Sequence, residues 1–236
     1  MEMLLSVRDL HHGFGAGGTR LEVLTGVDFE VAPGELVALM GPSGCGKSTL
    51  LNIIGGLLAA DSGIVSANGS AYGPQPPHAL VELRRAIIGW IFQDYHLLPH
   101  LSALDNVTLA LELAGAAMPE AEQRATAALE RVGLADRAQH RPDELSGGQA
   151  QRVAIARAIA GDRKLLLADE PTGNLDVATS REILELFHEL CAGDSELSIL
   201  MVTHDAALAA RADRMLLLRD GRVAASDVES AWGDAA

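Results

Sequence analysis

The chain is poor in aromatic side chains, in cysteine and in positive charge. Only 3% of its 236 residues are aromatic although 48% are hydrophobic, so much of the apolar content is Ala, Leu and Val. Its two cysteines, Cys45 and Cys191, form neither a disulfide framework nor a metal-ligand spacing, as expected for a reducing cytoplasm. Lys and Arg number 18 against 32 Asp and Glu, for a formal net charge of −14. A general nucleic-acid binder carries a basic face, so nucleic acid is not an expected partner. No stretch reaches the roughly 18 apolar residues of a membrane span. The greasiest candidates are broken by Glu112 and by Asp169-Glu170. The start, Met1-Glu2-Met3-Leu4-Leu5, puts an acid where a secretion leader needs positive charge. Any association with a membrane is therefore expected to run through another chain.

What is present reads as one α/β domain, since this length is enough for a good core. Leu4 to Leu10 predicts a strand, followed by a Gly-rich loop from Gly13 to Gly18. Val23, Val27, Phe29 and Val31 alternate loosely, as a half-buried strand does. Glu35 to Met40 is a short apolar run between turn signals, which predicts a buried strand. It leads into a second Gly-rich loop and a helix from Lys47 to Ile54. Asn68-Gly69 marks a hairpin, and Ile87 to Phe92 a further strand. From about Ser102 to Ala160 the pattern is helical, most clearly in Ala121 to Val132, which is rich in strong helix formers. Lys164 to Ala168 returns to buried strand, and helix and strand alternate to Arg219, where Asp220-Gly221 makes a last turn. Alternation at both ends of a helical insertion predicts a parallel sheet with a helical lobe.

Gly41-Pro42-Ser43-Gly44-Cys45-Gly46-Lys47-Ser48-Thr49 fits the pattern G-x-x-x-x-G-K-[ST]. Glycines let the backbone curl so that its N–H groups face phosphate oxygens. The following helix offers its positive end to the same anion. Lys47 is expected to reach the β- and γ-phosphates, Ser48 to offer a hydroxyl to Mg²⁺, and Thr49 to add a phosphate contact. An ordinary Gly-rich turn before a helix is the competing reading. The strand ahead, the helix behind and the full spacing weigh against it. Alone, the motif implies only a nucleoside triphosphate and magnesium.

Leu165-Leu166-Leu167-Ala168-Asp169-Glu170 places two carboxylates at the end of a buried strand, where ligands bind in open α/β sheets. Asp169 suits a magnesium shell, and Glu170 is placed to orient an attacking water. A solvated turn before Pro171 is the bland alternative, outweighed by the phosphate loop in the same chain. Leu145-Ser146-Gly147-Gly148-Gln149 precedes a long helix from Ala150 to Ala160. Ser146 sits at an N-cap position, and the glycines leave backbone N–H groups open to a ligand. Taken alone, this is a helix cap.

In its place between the phosphate loop and the acidic pair, however, Leu-Ser-Gly-Gly-Gln is the signature of the ABC ATPases. The chain resembles that family over nearly its whole length. Gln93 matches the family's Q-loop, Asn174-Leu175-Asp176 its D-loop, and His204 its switch histidine. Phe14 stands where the family usually has an aromatic, more often Tyr, to stack on adenine, a role that needs only the ring face. The resemblance implies catalytic roles for Glu170, His204 and Gln93, and a magnesium shell of Ser48, Gln93 and Asp169. It also implies nucleotide contacts from Phe14, the loop from Gly41 to Thr49, Ser146, Gly147, Gly148, Gln149 and Asp176. The implied fold is a P-loop NTPase of the ABC type: a mainly parallel core sheet with an antiparallel β lobe over 1–92 and 162–225, and a helical lobe over about 93–161.

Within the family the chain is similar to the compact ATPases of lipoprotein release, macrolide-type efflux and the FtsE-like cell-division system. Gly89-Trp90-Ile91-Phe92-Gln93, Leu97-Leu98-Pro99, Arg141-Pro142 and the stretch from Asp169 to Asp176 carry that similarity. It implies a homodimer with ATP sandwiched between Lys47 of one copy and Ser146 of the other, released by hydrolysis. It also implies a separate permease docked near the Q-loop, at the apolar segment from Tyr95 to Leu101, and a cytoplasmic location on the inner face of the membrane. The rival is an FtsE-like regulatory ATPase that signals through a membrane partner and transports nothing. A nucleic-acid ATPase needs a long coiled-coil insertion or a second ATPase domain, and this sequence has neither.

Overall fold

The apolar runs of the chain become strands with left-handed turns between them. In the computed structural model, which describes residues 3–193 and 196–225, β1 (Leu5–Phe14) folds back on β2 (Leu21–Val31) as an antiparallel hairpin. β3 (Leu36–Met40) is buried along its whole length, and the Gly-rich loop after it leads into α1 (Lys47–Ile54). β4 (Ser62–Ala67) and β5 (Ser70–Tyr72) complete a four-stranded antiparallel sheet of order β2-β1-β4-β5. Their turn, Asn68-Gly69, has φ of 46° and 75°, the left-handed pair a two-residue hairpin requires.

After α2 (Val81–Ile87) and β6 (Ile88–Phe92) the chain turns helical, with α3 (Ala103–Leu113), α4 (Met118–Arg131) and α5 (Gly147–Ile159). It then alternates again through β7 (Leu165–Asp169), α6 (Val177–Gly193), β8 (Ser198–Val202) and α7 (Ala206–Ala209) to the hairpin of β9 (Arg214–Arg219) and β10 (Arg222–Ala225). The second sheet has the order β10-β9-β3-β8-β7-β6 and is parallel except at that hairpin. Among the described residues, no helix is long and apolar enough to cross a membrane.

The sheet separates two apolar clusters, and the two-residue period of a strand decides which side chain joins which. Leu36, Ala38 and Met40 face the helical layer of Val107, Leu129, Ile155 and Phe187. Val37 and Leu39 face α1 and the antiparallel sheet, with Leu50, Ile54, Leu5 and Leu24. The mainly parallel sheet, the antiparallel lobe and the helical insertion between β6 and β7 are the architecture the sequence predicts. Three local expectations need correction. β1 runs on to Phe14 rather than ending near Leu10, because register shifts around Leu10 and His11 break the side-chain alternation that would have marked it. The strand predicted from Ile87 begins at Ile88, since Ile87 closes α2, a helix too short to show a period. The helical stretch from Ser102 to Ala160 is cut by Gly115 and Gly133, which sit at φ of 102° and 73°.

The segment between β6 and α3 has no regular structure of its own, and its later half, from Leu98 to Ser102, is held by one buried amide. Asn106 donates to the carbonyls of Leu98, Leu101 and Ser102 at 3.2, 3.2 and 2.9 Å, and accepts from the Leu98 N–H at 2.7 Å. Ser102 and Asp105 add a reciprocal capping box at the start of α3. Asn106→Ala strands several backbone groups at once, one of them buried and the rest partly so, and is expected to lower the unfolding free energy by about 2–3 kcal/mol. Ser102→Ala, which removes one cap, is expected to cost about 1 kcal/mol. Urea denaturation checks the order; an Asn106→Ala cost no larger than that of Ser102→Ala would contradict it.

Candidate functional site

The loop after β3 needs glycine for reasons of space as well as conformation. A Cβ on Gly41 would stand 2.3 Å from the Leu218 carbonyl oxygen and 2.6 Å from Cys45 Sγ. One on Gly46, which has φ of 105°, would meet Val23 Cγ1 at 2.8 Å. Gly46 is also the N-cap of α1 and caps it with no side chain, so the first N–H groups of that helix stay available. Lys47 Nζ turns back on the loop and donates to the carbonyls of Gly41 at 2.8 Å and Pro42 at 3.0 Å, with Cys45 Sγ 3.9 Å away. The loop opens on a cleft of about 580 Å³, which Ser43, Gly44, Ser48 and Thr49 also line. Phe14, Leu21 and Val23 form its apolar side, and Glu170 and His204 reach it from β7 and β8.

Asp169 ends β7, and Ser48 on α1 hydrogen-bonds to its carboxylate. Burial raises the Asp169 carboxyl above its ordinary pKa; the Ser48 bond lowers it, the charge of Glu170 raises it, and Lys47 lowers it. Glu170 follows with φ of 48°, a left-handed conformation uncommon for a residue with a side chain. Its Oε2 lies 3.0 Å from His204 Nδ1, a contact between the two residues that the sequence reading leaves unpaired.

Gln93 follows β6, and Asn174 ties it down. The Gln93 Nε2 donates to Asn174 Oδ1 at 3.3 Å, and Asn174 Nδ2 donates to the Gln93 carbonyl at 3.1 Å. Ser48, Gln93, Asp169 and Glu170 line a second cleft of about 280 Å³. The three residues predicted to hold magnesium are thus brought together, as a hydroxyl, an amide and a carboxylate. Beyond Gln93, Tyr95 and His96 are left-handed, at φ of 58° and 48°. Arg157 on α5 donates to their carbonyls at 2.7 and 2.5 Å.

The predicted signature stands apart from the phosphate cleft, whose lining does not include it. Ser146 caps α5 in a reciprocal box: Gln149 N–H donates to Ser146 Oγ at 3.3 Å, and Ser146 N–H to Gln149 Oε1 at 2.9 Å. A Cβ on Gly148 would meet Thr179 Cγ2 at 2.4 Å, and one on Gly147 would meet Tyr95 Oη at 3.1 Å. Asp176 likewise caps the start of α6, accepting from the N–H groups of Ala178 and Thr179 and from the Thr179 hydroxyl. Sequence reasoning missed Leu21 and Val23 as cleft walls, Asn174 as the tether of Gln93, and Arg157. Only the pairing of β1 with β2 exposes the first two, and nothing local in the sequence signals the others.

The profile of a family described as ABC transporter matches residues 24–173. The chain is 47% identical over 220 residues to a lipoprotein-releasing system ATP-binding protein, LolD, of Pseudomonas syringae pv. tomato, covering 93% of this chain and 96% of that one. It is 46% identical over 210 residues to a macrolide export ATP-binding/permease protein, MacB, of Chromobacterium violaceum, covering 89% of this chain but 32% of that longer protein. Among solved structures it is similar to the ATP-binding cassette MJ0796 in a dimeric post-hydrolysis state bound to ADP and Pi, with a TM-score of 0.83 and 36% identity over 94% of this chain and 97% of that one.

The raised Asp169 carboxyl has a measurable consequence. Its folded pKa lies above its unfolded one, so below the unfolded value both states are protonated and no penalty exists. As pH rises through the folded value, the folded state loses stability. Asp169→Asn is therefore expected to raise the thermal midpoint of the nucleotide-free, metal-free protein near neutral pH, with the gap closing on acidification. Calorimetry over that range checks it, and a gap that does not change with pH would contradict the partly desolvated Asp169 charge as its source.

Proposed function

This chain belongs to the ABC transporter family and is one of its ATP-binding, ATP-hydrolysing subunits; we propose that it drives a separate membrane permease, through ATP-dependent dimerisation, in lipoprotein release or a related export. The convergence of Lys47, Ser48, Glu170 and His204 on one cleft carries the chemical reading. The relatives named for lipoprotein release and macrolide export support the choice of process.

In the proposed mechanism the loop from Gly41 to Thr49 wraps the phosphates with N–H groups, and Lys47 leaves its own loop's carbonyls for the β- and γ-phosphates. Phe14 stacks on the base. Mg²⁺ fits the donor set of Ser48, Gln93 and Asp169, because all offer oxygen and because the half-buried Asp169 carboxylate lacks a full counter-charge. When bound, the ion neutralises developing phosphate charge. Glu170 orients the attacking water and takes its proton as the water oxygen bonds the γ-phosphorus; the β–γ bridging oxygen leaves with ADP. His204 holds one oxygen of Glu170 and leaves the other for water.

Ser146 acts across the dimer in this reading. Its oxygen accepts the cap bond from Gln149, which leaves its hydroxyl hydrogen to donate to the γ-phosphate held by the partner copy, beside the N–H groups of Gly147 and Gly148. Asp176, Gln149 and the start of α6 border the same interface. The permease docks at the segment from Tyr95 to Leu101, where Leu98 is 48% exposed and Leu97 packs on the core. That docking holds the subunit on the inner face of the membrane.

Glu170→Gln is expected to keep ATP affinity, measured by calorimetry, while turnover falls by about 10²–10⁴-fold. Lys47→Ala is expected to weaken binding itself. Wild-type turnover in Glu170→Gln would remove its assigned role. In a Glu170→Gln background, Ser146→Arg is expected to spare ATP binding to the monomer and abolish the ATP-dependent dimer on size exclusion. An undiminished dimer would count against a signature acting in trans.

A further inference from the structure

Phe14, the aromatic wall of the cleft, sits at the end of β1, where the strand ladder is irregular. Register slips between His12, paired with Leu24, and Gly13, paired with Glu22. A slipped ladder leaves the direction of the next side chain poorly specified, and yet Phe14 must present one ring face to the cleft. The missing constraint comes from beneath. His12 is 6% exposed, and its ring lies 4.8 Å from that of Phe14, at an interplanar angle of 83°. This is the edge-to-face arrangement that aromatic rings prefer.

His12 is a costly choice for that position if only stability mattered. Both its ring nitrogens are buried without a hydrogen-bond partner, and a buried polar group without one is destabilising. The nearest charge is Asp61 Oδ2, 3.7 Å from Nδ1. That carboxylate is already committed: it accepts from the Gly13 N–H at 2.7 Å and pairs with Arg20, which also pairs with Glu22 at 2.5 Å. Asp61 therefore holds the Gly13 backbone just past the slip, and Arg20 links that carboxylate to Glu22, the residue paired with Gly13 on β2. The ring of His12 fills the space under Phe14.

We propose that His12 is a positioning residue for the nucleotide base: by packing edge-on against Phe14 it fixes the ring plane on which the base stacks, and the Asp61–Arg20 clamp holds the hairpin end that carries both. The proposal rests on the reading of Phe14 as the base-stacking wall and adds the residue that orients it. It implies that the base, and not the phosphates, senses a change at position 12.

The test compares His12→Ala, His12→Leu, which fills the space without an aromatic ring, and His12→Phe, which keeps a ring. ATPase rates give KM and kcat for each folded variant, with inorganic tripolyphosphate as a competitive inhibitor that has no base. His12→Ala and His12→Leu are expected to raise the KM for ATP about three- to tenfold, with kcat at saturation and tripolyphosphate inhibition unchanged. His12→Phe is expected to restore the KM. Phe14→Ala is expected to raise the KM by itself, and His12→Ala to add nothing in that background, as coupling through Phe14 requires. A wild-type KM in folded His12→Leu, or equal weakening of ATP and tripolyphosphate, overturns the proposal. If Phe14→Ala leaves the KM for ATP unchanged, the base-stacking reading itself falls. Should His12→Ala fail to fold, the contrast between His12→Leu and His12→Phe decides.

Discussion

The register of four neighbouring strands is the constraint on which the rest depends. Phe92 pairs with Asp169, Asp169 with Val202, and Val202 with Leu39, so these four residues lie in one row across β6, β7, β8 and β3. The next residues along β6, β7 and β8, namely Gln93, Glu170 and Thr203, therefore leave the sheet together, while Met40 ends β3 one residue later, still paired with Leu217 of β9. One step further come the phosphate loop and His204. Slipping any one strand by a residue would reverse its side chains and carry its functional residue out of the row. Continuous burial of Leu36 to Met40 and of Leu165 to Ala168 on both faces fixes that register.

A chain of formal net charge −14 has to accommodate a polyanion, and the structure supplies little side-chain charge for the purpose. In the phosphate cleft the lining cation is Lys47, and Glu170 lines the same cleft. Backbone dipoles make up the difference. α1 begins with a glycine cap that leaves N–H groups open at the phosphate loop, and α5 begins with a serine cap followed by glycines, which in the proposed dimer would face phosphate in the same way. This suits binding that has to be reversed on each cycle, because an N–H group holds phosphate by geometry and loses its grip as soon as the geometry changes.

The contiguous parts of the site were legible in the sequence. The phosphate loop and the acidic pair each concentrate their chemistry in a few adjacent residues, so spacing alone points to them; the signature reads as a helix cap until the family resemblance gives it another role. The fold class was legible for a similar reason, since burial on both faces writes itself as unbroken apolar runs at Leu36 to Met40 and Leu165 to Ala168. Contacts between residues far apart in sequence were not. Asn174 reaches Gln93 across 81 positions, and Arg157 reaches Tyr95 across 62. Neither residue type announces its partner. The left-handed backbone at Tyr95, His96 and Glu170 was equally hidden, because glycine marks such positions and none of the three is glycine.

Arg157 has a mechanical consequence. It lies near one end of α5, and Ser146 caps the other. The first holds the loop that follows Gln93 by its carbonyls; the second, in the proposed dimer, faces the phosphate of the partner copy. One rigid rod then spans two reaction centres, with its grip on the first set by the position of its tip in the second. In the proposed dimer a tilt of that rod would move both ends at once, so the paired sites would be wired in series, each copy carrying the wire from its own loop to its neighbour.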